Sequence, residues 1–341
     1  MARKLLGLAL AALWLTLIGV VPATADQIAQ AQRIADDFAA PRYAQLATAT
    51  AEQAALWSKE CASPDAGTVT RLRAAFTSAV LVWQDIALFR AGPISDDNRL
   101  ERIAYWPDKR NTIDKRLREL LAASGPVPDM SGKSVAIQGF PALERVLFDD
   151  GLAALDTPAG ERRCAVGSAI AGNIAAIARD VDARWQDKAG ALRASLATKE
   201  GAEEFLRRAA TDLLAGYEII MDDKIREPIG RTPGAAKPMA AELRRSGLSL
   251  PAIRRNLESL RALTAVMLAG SGDTLADATA AEAANVANGA ADTALQAEDD
   301  PSSRTKLLLL VAAITSARDT AKDVVPETLG VTIGFNSADG D

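Results

Sequence analysis

Residues 68–92, TVTRLRAAFTSAVLVWQDIALFRAG, place Leu72, Phe76, Val80 and Trp83 at steps of three and four. That spacing sets all four on one face of an α-helix, and such a face must be buried against another element. The period returns after Cys164 in Ile170, Ile174, Ile177, Val181 and Trp185, and then in Phe205, Ala209, Leu213, Tyr217 and Ile220. A further face is built from Ile253, Leu257, Leu260, Leu263 and Met267. Alternating β-branched runs between hairpin turns are missing, apart from the short GVTIGFN at 330–336. The fold class is therefore all-α, with roughly eight to ten helices.

The punctuation between these segments agrees. Pro251, in SLPAIRRNLESL, falls near a first helical turn, where a missing N–H costs nothing. LAGSGDT and REPIGRTPGAAKP supply glycine and proline between helices. The LLLLVAAI run at 307–314 is too short to span a bilayer and reads as a core helix. The alanine-rich stretch 274–299 must pack closely against its neighbours or fray. A charge-rich interruption, DKAGALRASLATKEGAEE at 187–204, divides the helices into a first group over 26–195 and a second over 196–341. No residue-level internal repeat is visible.

The N-terminus has the character of an export signal. Arg3 and Lys4 precede an apolar run from Leu5 to Val21, and ATA at 23–25 offers the small residues of a cleavage site, so 1–25 reads as a signal peptide. No cysteine follows the run, which gives no support to a lipid anchor, and stable membrane insertion is not expected. Without those two basic residues, 37 Lys and Arg face 44 Asp and Glu, a balance that argues against nucleic acid as a partner. Export to an oxidising compartment, the periplasm, makes a Cys61–Cys164 disulfide the default, free or metal-binding thiols being the alternative.

The chain contains no histidine. Ser–His–Asp and Cys–His catalysis are excluded by that alone. No glycine-rich phosphate loop stands between a strand and a helix.

Four stretches carry a resemblance: RIAYWPDKR (102–110), QGFPALERVLF (138–148), KIREPIG with KPMAAELRRSGLSL (224–250), and the terminal GFNSADGD (334–341). In that order they resemble the imelysin-like family of bacterial periplasmic proteins, sometimes filed among the M75 metallopeptidases, and within it the predicted periplasmic lipoprotein branch. The resemblance implies two four-helix-bundle halves related by an ancient duplication, with a site between them. It also implies a Gly-x-His-x-x-Glu motif tied to metal binding and iron uptake. Here the glycine is Gly139, the glutamate is Glu144, and Pro141 stands at the histidine position.

His-x-x-Glu sets two ligands one turn apart on a helix face. Proline removes the nitrogen ligand but suits the first turn of a helix beginning after Gly139. Carboxylates remain: Glu144 first, then Asp108, Asp149, Asp150, Glu218, Asp222, Asp223 and Asp339, which could hold a hard cation such as iron or calcium. The bland alternative makes most of them solvated or partners of Arg145, Lys109 and Arg110. Trp106, Asp108, Lys109 and Arg110 could line a cleft with Gly139 for a polyanion or a partner, or Trp106 could pack under a loop while Asp108 caps a helix. Val331, Ile333 and Phe335 make the terminal segment too apolar for a free tail, so it should dock on the body with Asp339 near the site. The expectation is a periplasmic, non-catalytic binding protein beside metal acquisition, partnered by another protein of that system. The rivals are a carboxylate-only metallopeptidase and a scaffold for a periplasmic protein.

Overall fold

The structure is a computed structural model and describes residues 23–149, 155, 157–295 and 300–333. The apolar run of the expected signal peptide, Asp150 and the terminal segment with Asp339 lie outside the described residues.

The chain opens with one long rod. Helix α1 (Ala23–Arg33) passes through a π-helical stretch, Ile34–Ala39, into α2 (Ala40–Ala62). α3 (Thr68–Gln84) runs back along it. Two short helices, α4 (Arg99–Ile103) and α5 (Thr112–Ala122), then lead to α6 (Phe140–Phe148) and the long α7 (Pro158–Gln186). After α8 (Ala191–Leu196), α9 (Lys199–Glu218) enters a second π-helical stretch, Ile219–Arg226, which continues as α10 (Glu227–Ile229). α11 (Ser249–Met267), α12 (Leu275–Asn288) and α13 (Pro301–Leu329) complete an all-α chain with no strand among the described residues.

The predicted helix faces are the core. Leu72, Phe76, Val80 and Trp83 are buried, as are Ile170, Ile174, Ile177, Val181 and Trp185, and all five apolar residues read from α11. α7, α9 and α13 start where Thr157, Thr198 and Asp300 accept hydrogen bonds from Gly160, Gly201 and Ser303 N–H groups, which fixes their first turns. The alanine-rich segment packs closely: α12 lies against α11 and α13 through Ala276, Ala280, Ala283, Ala284 and Ala287. In α13, Leu307, Leu310, Val311 and Ile314 are buried, while Leu308 and Leu309 remain exposed.

α2, α3, α6 and α7 pack together, and so do α9, α11, α12 and α13. α1 lies with the later group. It packs on α9, and its Gln27 and Gln30 donate to the carbonyls of Leu329, Gly330, Val266 and Met267 at the ends of α13 and α11. The long rod therefore crosses from one group to the other at its π-turn. An aromatic cluster of Phe38, Tyr43, Phe89, Trp185 and Phe205 fills the crossing, with ring centroids 5.3–6.4 Å apart.

The two π-turns carry a short repeat that the sequence alone hides. Ile34-Ala35-Asp36-Asp37 corresponds to Ile220-Met221-Asp222-Asp223, with two buried residues followed by two acids, all exposed but the half-buried Asp223. Each π-turn runs into a helix with proline at its second position, Pro41 and Pro228. Such i→i+5 turns are rare and recur at functional sites.

Candidate functional site

Gly139 holds the site together through what it lacks. Its backbone is extended, which any residue adopts, but a Cβ there would lie 2.0 Å from the Ile103 carbonyl oxygen and 2.6 Å from that of Arg102. Two backbone segments touch at this point, the end of α4 and the start of α6. Gln138 reinforces the junction: its Oε1 accepts from Arg102 Nε at 2.8 Å, and its carbonyl accepts from Asn173 Nδ2 at 2.9 Å. The loop bearing Trp106 and Asp108 is thereby pinned beside the helix bearing Glu144. Gly139→Ala is expected to cost about 1–3 kcal/mol by overpacking against immobile backbone. Urea denaturation measures it, and an unchanged midpoint would mean that the junction is loose.

Pro141 is the second residue of α6, where its missing N–H has no intrahelical acceptor to lose. Its carbonyl accepts from Arg145 Nη1 at 3.0 Å. One turn on, Glu144 is 3% exposed, and its Oε1 accepts from both the backbone N–H (2.9 Å) and the hydroxyl (2.7 Å) of Ser246. Burial pushes the Glu144 carboxyl above its ordinary pKa, and the two Ser246 bonds oppose that rise.

Asp108 caps α5, accepting from the Thr112 and Ile113 N–H groups at 2.8 Å each. Arg145 reaches within 3.8 Å of Asp108 and bonds Asp114, while Arg245 bonds Asp149 and approaches Asp114 at 3.6 Å. These chains of alternating charge tie α5, α6 and the segment before α11 together.

From the second π-turn comes Lys224, buried at 4% exposure. Its Nζ donates to Gln84 Oε1 (3.0 Å) and Asn256 Oδ1 (2.6 Å), meets Glu242 Oε2 at 2.6 Å, and stands 6.0 Å from the Trp106 ring centroid. Asn256 Nδ2 closes the network on the Gln84 carbonyl at 2.7 Å.

Between these elements opens a cleft of about 570 Å³, in the range of small-molecule sites. Trp83, Trp106, Pro107, Phe140, Pro141 and Met239 give it apolar walls, and Asp108, Lys109, Glu144, Asp222, Asp223 and Glu242 give it charge. Of the residues singled out from sequence, Trp106, Asp108, Lys109 and Glu144 line it, and Gly139 lies at the base of α6 beside them. Arg110 is exposed and does not line it. Sequence reasoning missed Lys224, Ser246, Gln84 and Asn256. Two of them, Lys224 and Ser246, sit inside the quoted stretch 224–250, yet nothing local in that stretch marks them as partners of α3, α6 or α11.

The donors do not fit a bare metal ion. Pro141 contributes no side-chain ligand, Glu144 is clamped by Ser246, and among the described residues no three His, Cys, Asp or Glu side chains come together in a metal-holding group. Among the described residues Glu144 thus has no second and third donor beside it for a cation site at this position.

The geometry is that of a cleft between helices, lined by aromatic and charged side chains. The Imelysin (Peptidase_M75) family model matches residues 39–321, and the chain belongs to that family. In structure it is similar to an imelysin-like protein from Psychrobacter arcticum 273-4, with 19% identity, a TM-score of 0.73, and 92% of this chain and 98% of that chain covered. It is also similar to a candidate iron-regulated protein A precursor from Parabacteroides distasonis ATCC 8503, with 16% identity, a TM-score of 0.68, and 90% and 97% covered. At these identities the likeness is one of fold. No curated protein matches the chain in sequence.

Proposed function

We propose that this chain is an exported imelysin-family binding protein without peptidase activity, acting beside metal acquisition, with the cleft between α3, α6 and the second π-turn as its binding site. The observation that carries the reading is the state of the motif. Gly139 and Glu144, the positions that the resemblance assigns to the motif, are structurally engaged, while Pro141, where the resemblance sets the histidine, offers no ligand and no imidazole exists in the sequence. A zinc peptidase needs two or three protein ligands and a general base, and the described residues of this cleft do not bring such a set together. Support for export comes from the apolar N-terminal run and from the Cys61–Cys164 disulfide, a bond kept in oxidising compartments. Support for the metal context comes from the family and from the iron-regulated description of one structural relative.

The test pairs a peptide-library cleavage assay with elemental mass spectrometry of protein isolated from the periplasm, wild type against Glu144→Ala. The expected result is no cleavage that a chelator stops and no stoichiometric metal. Chelator-sensitive cleavage lost in Glu144→Ala would establish the carboxylate-only peptidase instead. Stoichiometric iron or calcium lost in that variant would make Glu144 a metal ligand after all.

A further inference from the structure

The cleft's charges show what it is missing. Asp108 is spent on capping α5 and on Arg145, and Glu242 on Lys224. Asp222 pairs with Arg226 and Glu227 with Lys237. Two acids remain without an ion pair among the described residues, Glu144 and the half-buried Asp223. Both Ser246 bonds fall on Glu144 Oε1, and the side chain lines the cleft, with Arg245 and Arg145 near enough to favour its charge without pairing with it. One cation, the exposed Lys109, also lines the cleft with no ion pair among the described residues. It lies near enough to Asp223 to favour that carboxylate without bonding it.

The partners of the other π-turn indicate the complementary chemistry. There Asp36, the counterpart of Asp222, holds the ammonium of Lys188 and the guanidinium of Arg193, each at 2.6 Å and both supplied from beyond its own helix. Among the described residues the two acids of the second π-turn, Asp222 and Asp223, receive no ion pair from outside their own helix. Where the first is neutralised by the chain's own organic cations, the second faces an open cleft walled by Trp83 and Trp106. Aromatic faces attract ammonium and guanidinium groups. Carboxylates spread along a cleft suit an elongated cation better than a bare ion, which needs its oxygens gathered at 2.0–2.6 Å.

Resting on the reading of this cleft as the binding site, we infer that its ligand is an elongated organic cation of the basic amino acid or short basic peptide class. Its ammonium or guanidinium meets Glu144 and Asp223 against the tryptophan walls, and its carboxylate meets Lys109.

Calorimetric titration of the exported, disulfide-intact protein tests this with free lysine, the dipeptide Lys-Lys, cadaverine and neutral pentanediol. Saturable binding of the amines but not of pentanediol is expected. Asp223→Asn, at a half-buried position, should weaken every amine by about tenfold, the worth of one charge-assisted hydrogen bond. Glu144→Gln should weaken them at least as much. Lys109→Met should weaken lysine and Lys-Lys while leaving cadaverine unchanged, and equal losses for all three would remove the carboxylate subsite and, with it, the amino acid class. No amine binding up to ~10 mM, beyond the range of specific affinity, overturns the inference. Calcium or ferric ion added in the same cell then separates the two readings. An inorganic cation whose binding falls in Asp223→Asn leaves the cleft as the site with another ligand, and no response to any probe removes the cleft as well.

Discussion

Lys224→Met is expected to lower the stability of the fold by about 3–5 kcal/mol, the usual cost of removing one member of a buried ion pair and leaving the other uncompensated. Lys224 brings a full charge into the region where the π-turn, α3 and α11 meet, and three oxygens receive it: Gln84 Oε1, Asn256 Oδ1 and Glu242 Oε2. Methionine matches the length of the stem but offers no donor. Glu242, with a side chain 12% exposed, would then stand beside Gln84 and Asn256 without its counter-charge. Adding Glu242→Gln removes the stranded charge, so the double variant should recover more than half of the loss. Urea denaturation of wild type, both single variants and the double variant completes the cycle. Additive losses would show that Lys224 and Glu242 do not act as a pair. A loss below ~1 kcal/mol in Lys224→Met would place Lys224 among surface ion pairs, whose median worth lies in that range.

Lys224 also shows where sequence reading stops. The helix faces were legible because burial acts on each helix separately: Leu72, Phe76, Val80 and Trp83 announce their common side through spacing alone. Gly139 and Pro141 were legible in part, proline because its φ and missing N–H fix where it can stand in a helix. The reason for Gly139 was not, since the atoms that forbid a Cβ belong to Arg102 and Ile103 in another element. The same holds for Ser246, which reaches Glu144 across about a hundred residues of chain. A lysine beside two aspartates, as in MDDKIREP, reads as solvated surface. Only the π-turn rotates Lys224 inward while Asp222 stays out, and an i→i+5 turn has no sequence signature comparable to a cap or a proline. Asp108 was legible as one of two alternatives, cleft wall or helix cap, and it does both.

Replacing both cysteines, Cys61→Ser with Cys164→Ser, is expected to cost about 4–5 kcal/mol, the chain-entropy value for a closed loop of about a hundred residues. The bond joins the end of α2 to the start of α7 across a sequence separation of 103, with Cα atoms 5.6 Å apart. Those two helices already pack along each other, so the native state has little to lose. At Gly167 the approach is so close that a Cβ would lie 2.2 Å from the Trp57 ring. The effect belongs to the unfolded state, which regains the freedom of a long loop. Two signatures separate this from a packing defect. The urea m-value should rise, because the unlinked chain exposes more surface. The near-ultraviolet signal of the buried Trp57 and Trp185 should stay native below the transition, because the α2–α7 contact persists. A fall below ~1 kcal/mol with an unchanged m-value would mean that α2 and α7 remain associated in the unfolded chain, and the crosslink would then restrict little that packing does not restrict already.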